Sequence, residues 1–310
     1  MSTNLWVVVP ALDEAENLVV VVPRILAELE LLDVNGAVNG HVLVVDDGST
    51  DKTREVVADL AERHPGVDLI SLGRNLGKAT ALRRGFERAL AEGADVVVMM
   101  DADGQDDPAE LPLLLARLED GADLVTGART VRNDRFVKRN TSKLYNAVTA
   151  RLSGVPGKDF NSGFKVMRAD VARNASPMLY GELHRYLTVV AHWLGFRVAE
   201  VTVQHHERLH GSTKYGLARF WRGFVDLLTV RFLMSYESRP SHLFSGLGLA
   251  SAAAGGLAMT YLAVEKVSGA AIGGRPLLIA AVVMALGGLQ LVLFGLLAEL
   301  VVYSRQRERA

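Results

Sequence analysis

The chain has 310 residues, of which 49% are hydrophobic, and a formal net charge of −1 at neutral pH. A balance this close to neutral argues against nucleic-acid binding, which depends on an excess of positive charge. The sequence contains no cysteine, which excludes disulfides, thiolate catalysis and cysteine-ligated zinc. The length suffices for one large domain and a further apolar region.

Strand and helix patterns alternate through the N-terminal part of the chain. Strands are predicted at Leu5–Ala11, His41–Val45, Val67–Leu72, Asp95–Met100 and Leu124–Thr126. Helices are predicted from Asp13 to about Leu32, at Lys52–Arg63, at Gly77–Glu92 and from Pro108 to about Glu119. This order predicts a mostly parallel sheet with helices on both faces. Because the N-terminus lacks a basic segment before its apolar run, we expect a cytosolic strand there and no signal peptide.

One acidic stretch, DVVVMMDADGQDDP at 95–108, follows directly on a predicted buried strand. Asp101 and Asp103 begin where this strand ends, at the edge of an α/β sheet where ligands bind. Two carboxylates in this spacing suit Mg²⁺ or Mn²⁺ bound to a diphosphate, although a solvated acidic loop explains the same pattern. Asp106 is interpreted as a solvated loop residue, and Asp107 as the cap of the next helix.

Acids also follow the first two predicted strands, at Asp13-Glu14 and at Asp46-Asp47. The carboxyl ends of parallel strands share one edge of a sheet, so we expect these acids to lie near Asp101. Carboxylates accept hydrogen bonds from base N–H and ribose hydroxyl groups, which makes Asp47 and Glu14 candidates for holding a nucleoside. Asp13 and Asp51 are interpreted as helix caps.

Eight short motifs together resemble a known enzyme family. Four of them, VPALDE at 9–14, VDDGSTD at 45–51, RNLGK at 74–78 and DADGQ at 101–105, resemble the family 2 glycosyltransferases with the GT-A fold. Four more resemble the polyprenyl-phosphate branch of that family: GAR at 127–129, DFNSGF at 159–164, GELHR at 181–185 and RLHGSTKY at 208–215. That branch includes dolichyl-phosphate mannose synthases and bacterial polyprenyl-phosphate glucosyltransferases. The resemblance implies a Rossmann-like, mostly parallel GT-A catalytic domain.

The resemblance also implies a reaction, the transfer of a sugar from a UDP-glucose- or GDP-mannose-type donor to polyprenyl phosphate at a membrane. We expect inversion at the anomeric carbon, because a single in-line displacement inverts it. A phosphomonoester with a second pKa of about 6 is mostly ionised near neutral pH, so its oxygen can attack without a general base. A processive polysaccharide synthase and a membrane scaffold that binds nucleotide-sugar without turnover are the alternatives. The donor nucleotide and sugar stay open.

Individual residues acquire roles from the same resemblance. The donor nucleoside would contact Pro10, Leu12, Glu14, Val45 and Asp47, and Ala102 would lie beside the diphosphate. Mg²⁺ or Mn²⁺ would be held by Asp101, Asp103 and Gln105. The donor phosphates would meet Arg129, Arg208 and Lys214.

The acceptor side is assigned in the same way. Asp159 would be the catalytic carboxylate, acting with Arg208 and Lys214, and Glu182 and His184 are secondary candidates. Arg139 and Ser142 would bind the acceptor phosphate. The basic residues Arg132, Arg135, Lys138 and Arg139 are otherwise explained as a solvated or lipid-facing patch.

Two apolar stretches, 243–264 and 277–298, are each about 22 residues long without a charged side chain, close to the roughly 20 that span a bilayer. Arginines after the second span predict that both termini face the cytoplasm, with the protein in the cell membrane. Gly248, Ala252 and Gly256 are predicted to share one face of the first span. Small residues of this kind allow close helix packing and, with the family, suggest a homo-oligomer.

The predicted domain plan has four parts. A catalytic domain occupies 1–214, a helix in the membrane interface lies within 215–238, the hairpin occupies 239–304, and a basic tail occupies 305–310. The apolar residues of the 215–238 segment share one helical face, which indicates a helix that lies in the membrane interface. A core helix of the soluble domain is the alternative.

Overall fold

A computed structural model describes residues 2–129, 146, 149–151, 153–155, 157, 159–206, 229, 232 and 241–309. The chain divides into two compact units, Met1–Val230 and Arg231–Ala310. The predicted boundaries at 214 and 238 and nearly all of the predicted interfacial helix lie outside the described residues, so they stay predictions.

A seven-stranded sheet forms the frame of the first unit. Its strands are β1 (Thr3–Ala11), β2 (Val38–Asp46), β3 (Val67–Ser71), β4 (Val96–Met99), β5 (Leu124–Arg129), β6 (Lys165–Arg168) and β7 (Val198–Val203). Their spatial order is β3-β2-β1-β4-β6-β5-β7. β6 pairs antiparallel with β4 and β5, whereas the other pairs are parallel. The predicted mostly parallel sheet is therefore confirmed.

Helices pack on both faces of this sheet. They are α1 (Ala15–Leu32), α2 (Thr53–Arg63), α3 (Lys78–Ala91), α4 (Leu111–Glu119), α5 (Ala169–Ala175) and α6 (Leu187–Trp193). Side chains alternate across a strand, so Val7 and Val9 belong to one core layer and Val8 to the other. Gly85 brings α3 close to the sheet, since a Cβ there would lie 2.3 Å from Val8 Cγ1.

The capping roles predicted for Asp13 and Asp51 are distributed differently. Asp51 keeps its predicted role, because its Oδ1 accepts from the backbone N–H of Thr53, the first residue of α2, at 2.9 Å. Its Oδ2 also accepts from the backbone N–H of Ala15, the first residue of α1, at 3.1 Å. Asp13 Oδ1 instead accepts from the backbone N–H of Thr50 at 2.8 Å. The prediction that Asp13 caps α1 is therefore wrong, because the residue at the cap position is Glu14 and the Asp13 carboxylate reaches across to the loop after β2. These bonds tie the ends of β1 and β2 together.

The antiparallel direction of β6 decides which loops meet. Since β6 runs against β4 and β5, its N-terminal end lies at the edge of the sheet where β1, β2, β4 and β5 end. The loop before β6 therefore joins the acidic loop after β4. All the loops described below belong to this edge.

The second unit contains two packed helices, α7 (Ser241–Val267) and α8 (Pro276–Arg309). Ser241–Val267, of 27 residues, and Pro276–Ser304, of 29 residues, are long and apolar enough to cross a membrane. A Cβ on Gly248 would lie 2.6 Å from the Gly288 carbonyl oxygen, so the backbones approach closely there. Gly255, whose added Cβ would lie 2.6 Å from the Ala285 nitrogen, occupies the interface in place of the predicted Gly256.

Candidate active site

The acidic loop after β4 begins with an ion pair. Asp101 Oδ1 lies 2.5 Å from Nζ of Lys78, the first residue of α3, and the two side chains are 30% and 34% exposed, so ligands can reach them. Burial raises the pKa of Asp101, but the charges of Lys78 and Arg129 outweigh that effect and hold the pKa below its ordinary value. Asp101 is therefore a carboxylate at neutral pH.

Asp47 positions the loop that leads to Lys78. Its two carboxylate oxygens accept from the backbone N–H groups of Leu76 at 2.7 Å and Gly77 at 2.9 Å. Gly48 fits beneath this loop, since a Cβ there would lie 2.2 Å from the Arg74 carbonyl carbon. Asp47 thus fixes the start of α3, and its predicted contact with a nucleoside stays a prediction.

The other residues predicted to contact the nucleoside lie at the ends of β1 and β2. Pro10 and Val45 are opposite one another in the parallel pair. The Val45 side chain is fully buried in the core, so its contribution to a binding surface is indirect. Leu12 and Glu14 are half-buried, and Glu14 accepts a hydrogen bond from the Asn17 side chain.

The loop from Asp101 to Asp107 is held against the chain that follows β7. Asp103 is buried and accepts from the backbone N–H of Gln105 at 3.1 Å. The Gln105 backbone oxygen accepts from the His206 N–H at 2.9 Å, and Gln105 Nε2 donates to the His206 carbonyl at 3.3 Å. Ala102 is buried between the two acids. The predicted metal ligands therefore lie on one ordered turn.

Asp106 and Asp107 differ in their roles. Asp107 accepts from the backbone N–H of Ala109 at 3.2 Å, which confirms its predicted capping role. Asp106 is only 5% exposed, so its interpretation as a solvated loop residue is wrong. Burial and the nearby Asp101 charge raise the pKa of Asp106 to about 7. The site thus contains a buried carboxyl group whose environment the local sequence pattern does not reveal.

Asp159, at the start of the loop before β6, forms a two-point ion pair with Arg129, the last residue of β5. Arg129 Nε lies 2.5 Å from Asp159 Oδ2, and Nη2 lies 3.0 Å from Oδ1. The backbone N–H of Asp159 donates to Glu200 at 3.2 Å. Burial lowers the pKa of Arg129, but Asp159 outweighs that effect and raises it above its ordinary value. Both predicted residues are therefore present at the site and paired with each other.

The loop from Asp159 to Phe164 also contacts the acidic loop. A Cβ on Gly163 would lie 2.4 Å from Asp101 Cγ, so the Gly163 backbone lies directly against the Asp101 carboxylate. Within the loop, Ser162 Oγ accepts from the Phe164 N–H at 3.2 Å. The acid at the end of β4 and the arginine at the end of β5 are thus linked by one short segment.

His184 belongs to a 3₁₀ segment before α6, Leu183–Tyr186, and Glu182 directly precedes that segment. Glu182 forms an ion pair with Arg185 at 2.5 Å. His184 is 8% exposed, and burial together with Lys78 and Arg185 holds its pKa well below the ordinary value. His184 is therefore a neutral imidazole beside the Lys78–Asp101 pair.

The donor groups fit a hard divalent cation only in combination with a substrate. Within the described ranges, no group of three or more His, Asp or Glu side chains converges on a point that could hold a metal ion. Asp101 and Asp103 nevertheless supply carboxylate oxygens on one turn. Mg²⁺ is commonly held by one or two carboxylates together with substrate phosphates and water, which matches this donor set.

Several residues of the site were not predicted from the sequence, and several predicted ones lie outside the described residues. Lys78, Gly163 and Lys165 have no predicted role as individual residues, and the sequence pattern assigns Asp106 to a solvated loop. A lysine directly before the apolar pair Val166 and Met167 is nevertheless a visible anomaly in the sequence. Arg139, Ser142, Arg208 and Lys214 lie outside the described residues, as does the basic patch at 132–139.

Comparison with solved structures shows the fold. The glucosyl-3-phosphoglycerate synthase of Mycobacterium tuberculosis, solved with Mn²⁺ and UDP-glucose, has a TM-score of 0.53 and 24% identity, covering 74% of this chain and 79% of its own. A mannosyltransferase from Pyrobaculum calidifontis, solved with GDP-Man and Mn²⁺, has a TM-score of 0.55 and 20% identity, covering 76% of this chain and 65% of its own.

Sequence relatives cover nearly the whole chain. A dodecaprenyl-phosphate galacturonate synthase of Rhizobium johnstonii is 33% identical, over 100% of this chain and 90% of the relative. An undecaprenyl-phosphate 4-deoxy-4-formamido-L-arabinose transferase of Pseudomonas aeruginosa is 32% identical, over 98% of this chain and 87% of the relative. The family model described as "Glycosyl transferase family 2" matches residues 6–175. The chain therefore belongs to glycosyl transferase family 2.

Proposed function

We propose that this protein is a membrane-bound glycosyltransferase that moves a sugar from a nucleotide-sugar to polyprenyl phosphate. The observation that carries the proposal is the meeting of Asp101, Lys78 and the Arg129–Asp159 pair at one sheet edge of a family 2 fold. The relatives that span this chain act, by their names, on dodecaprenyl- and undecaprenyl-phosphate. Two helices long enough to cross a membrane suit an acceptor with a long apolar tail.

Charge at the site suits the departure of a nucleoside diphosphate. Lys78 forms an ion pair with Asp101, and Arg129 also lowers the pKa of that acid. Fixed cations of this kind stabilise negative charge that develops on a leaving group. Arg129 uses Nε and Nη2 for Asp159, which leaves its remaining guanidinium N–H groups to donate to a phosphate. Asp159 in this proposal acts by orienting Arg129 and leaves the acceptor oxygen to attack unaided.

Asp101 and Asp103 would hold Mg²⁺ or Mn²⁺ together with the donor diphosphate, with Gln105 as a further oxygen ligand. When bound, the metal would neutralise diphosphate charge. Gln105 is oriented by its hydrogen bond to His206, which keeps its amide on the turn that carries Asp103. Arg208 and Lys214 as phosphate ligands, and Arg139 and Ser142 at the acceptor phosphate, complete the proposed site.

The proposal extends to placement in the cell. The hairpin of α7 and α8 would anchor the protein in the cytoplasmic membrane with both termini in the cytosol. Close helix packing through glycine is compatible with a homo-oligomer, which we include in the proposal.

The test is radiolabel transfer to polyprenyl phosphate by the full-length protein in lipid nanodiscs. The donor panel contains UDP- and GDP-linked neutral hexoses, a nucleotide-linked uronic acid and a nucleotide-linked amino-pentose, each with and without EDTA. We expect one donor class to give a metal-dependent lipid-linked product of inverted anomeric configuration. If the protein binds a nucleotide-sugar but forms no product from any donor, it is a membrane scaffold that binds nucleotide-sugar without turnover.

A further inference from the structure

Lys165 is a charged residue with no exposed surface, at the start of the interior strand β6. It lies between Met99 of β4 and Thr126 of β5 in the sheet. The residues that follow it, Val166 and Met167, are fully buried members of the two core layers. Burying an ammonium group among apolar residues costs free energy unless the group is hydrogen-bonded. The hydrogen-bond partners of Lys165 therefore explain how the sheet tolerates it.

The Lys165 ammonium is bonded to the loop that precedes its own strand. Nζ donates to the Phe160 carbonyl at 3.4 Å and, more closely, to the Ser162 carbonyl. The same loop is closed by a weak bond from the Ser162 N–H to the Asp159 carbonyl at 3.4 Å. Lys165 therefore donates hydrogen bonds to two carbonyl oxygens. Both oxygens would lose this donor if a straight-chain apolar residue replaced the lysine.

That loop carries both contacts that unite the site. At one end, Asp159 binds Arg129 at two points. Near the other end, Gly163 lies against the Asp101 carboxylate. A change in the path of the loop between them would move an arginine and a carboxylate relative to each other, so the conformation of the loop sets the geometry of the charged groups.

Charges of both signs surround the ammonium. Burial lowers the pKa of Lys165 to about 8, while Asp159 and Asp101 act to raise it and Arg129 and Lys78 act to lower it. Lys165 therefore keeps its charge in most molecules at neutral pH. A neutral replacement would change both the hydrogen bonds of the loop and the local charge.

We infer that Lys165 is a positioning residue of the active site, whose buried ammonium holds the 159–164 loop so that Gly163 meets Asp101 while Asp159 meets Arg129. The inference rests on the proposed glycosyl transfer for its catalytic consequence. In this inference Lys165 contacts only the loop, and other residues contact the substrates. Its removal should therefore act through the loop.

The test compares Lys165→Met, which removes the donor and the charge, with Lys165→Gln, whose amide still donates. Thr188→Val is the matched control, because it removes a buried hydrogen bond of 2.9 Å to Thr126, beside Lys165, without touching the loop. All proteins are full-length and in nanodiscs. We expect Lys165→Met to lower kcat about 10- to 100-fold, Lys165→Gln to lose less than tenfold, and Thr188→Val to stay within twofold of wild type.

A second measurement separates positioning from general destabilisation. In a Gly163→Ala background, where the loop is already displaced from Asp101, Lys165→Met should cost less than threefold further, because both changes act through one contact. A full, multiplicative loss in the double variant would contradict the inference.

Hydrogen exchange tests the loop without reference to activity. Peptides that cover 159–168 should exchange at least tenfold faster in Lys165→Met, with β1 and β2 unchanged. In Lys165→Gln, which keeps one donor, they should exchange faster by a smaller factor, and this comparison decides if Lys165→Met does not fold. Unchanged exchange in this peptide overturns the inference. If wild-type protein makes no lipid-linked product, the proposed function fails and the exchange result alone decides the role of Lys165.

Discussion

Gly163 lies against the carboxylate of Asp101 so closely that a methyl group on Gly163 would come within 2.4 Å of Asp101 Cγ. Asp101 belongs to the loop after β4, and Gly163 to the loop before β6. The contact exists because β6 is inserted antiparallel beside β4, which brings the start of one strand to the end of the other. It defines the distance between the acidic loop and the Arg129–Asp159 pair.

Gly163→Ala should displace the Asp101 side chain and lower the transfer rate by about 10- to 100-fold, an effect expected when catalytic groups move by about 1 Å. The control is Gly66→Ala, whose added Cβ would lie 3.4 Å from the Gly40 carbonyl oxygen, an ordinary contact. The measurement is initial rate at saturating donor and acceptor. Equal rates for the two alanine variants would show that the Gly163 contact does not set the site.

Asp103→Asn should lower transfer by about 100-fold or more, because a neutral amide is a poor ligand for a hard cation and a poor counter-charge for it. Asp120→Asn, a change of the same kind beyond the end of α4, is the matched control. Rates are measured across a titration of Mn²⁺ and of Mg²⁺. A normal rate and an unchanged metal requirement in Asp103→Asn would remove Asp103 from the metal site.

Breaking the Arg129–Asp159 pair should destabilise the fold. Asp159→Asn leaves a buried guanidinium without its counter-charge, which costs about 3–5 kcal/mol of unfolding free energy. Arg129 and Asp159 have side-chain exposures of only 16% and 4%, so solvent screens the pair little. The measurement is thermal unfolding followed by tryptophan fluorescence.

The double variant Arg129→Met/Asp159→Leu should recover part of that loss of stability, although not activity, because neither charge is left unpaired. Asp59→Asn, which breaks an exposed pair with Arg63, should leave the melting temperature almost unchanged. A double variant as unstable as the sum of both single changes would contradict the pairing argument.

Asp123 should affect stability without affecting catalysis. It lies at the opposite edge of the sheet, where it accepts from the Arg197 N–H at 2.8 Å and pairs with Arg197 and Arg168. Burial raises the pKa of Asp123, but these donors outweigh that effect and lower it. Its contribution to stability is therefore full above the unfolded-state pKa, near 4, and is lost as the pH falls through the lower folded-state pKa.

Asp123→Asn should consequently lower stability by about 1 kcal/mol at neutral pH and flatten the acid side of the stability curve. Unfolding is measured from pH 7 down to pH 3, and the transfer rate is measured at pH 7. A variant whose stability falls with acid as steeply as the wild type would show that Asp123 does not contribute in this range.

Much of the fold followed from local patterns. Alternating apolar strands and amphipathic helices predicted β1 to β5 and α1 to α4 within a few residues. Acids at strand ends correctly predicted that these residues lie at one edge of the sheet, because parallel strands deliver their carboxyl ends to the same side. Asp107 was recognisable as a cap from its position before Pro108.

What the sequence by itself determined was therefore local: which segments are strands, helices or membrane-length spans, and which motifs carry charge. The tertiary structure decided the partners. It brought β6 between β4 and β5, set Gly163 against Asp101, buried Asp106, and paired Arg129 with Asp159. Hydrophobic periodicity depends on neighbours along the chain. Burial, pKa and pairing at this site depend instead on loops that are far apart in sequence and meet only when the strands assemble into the sheet.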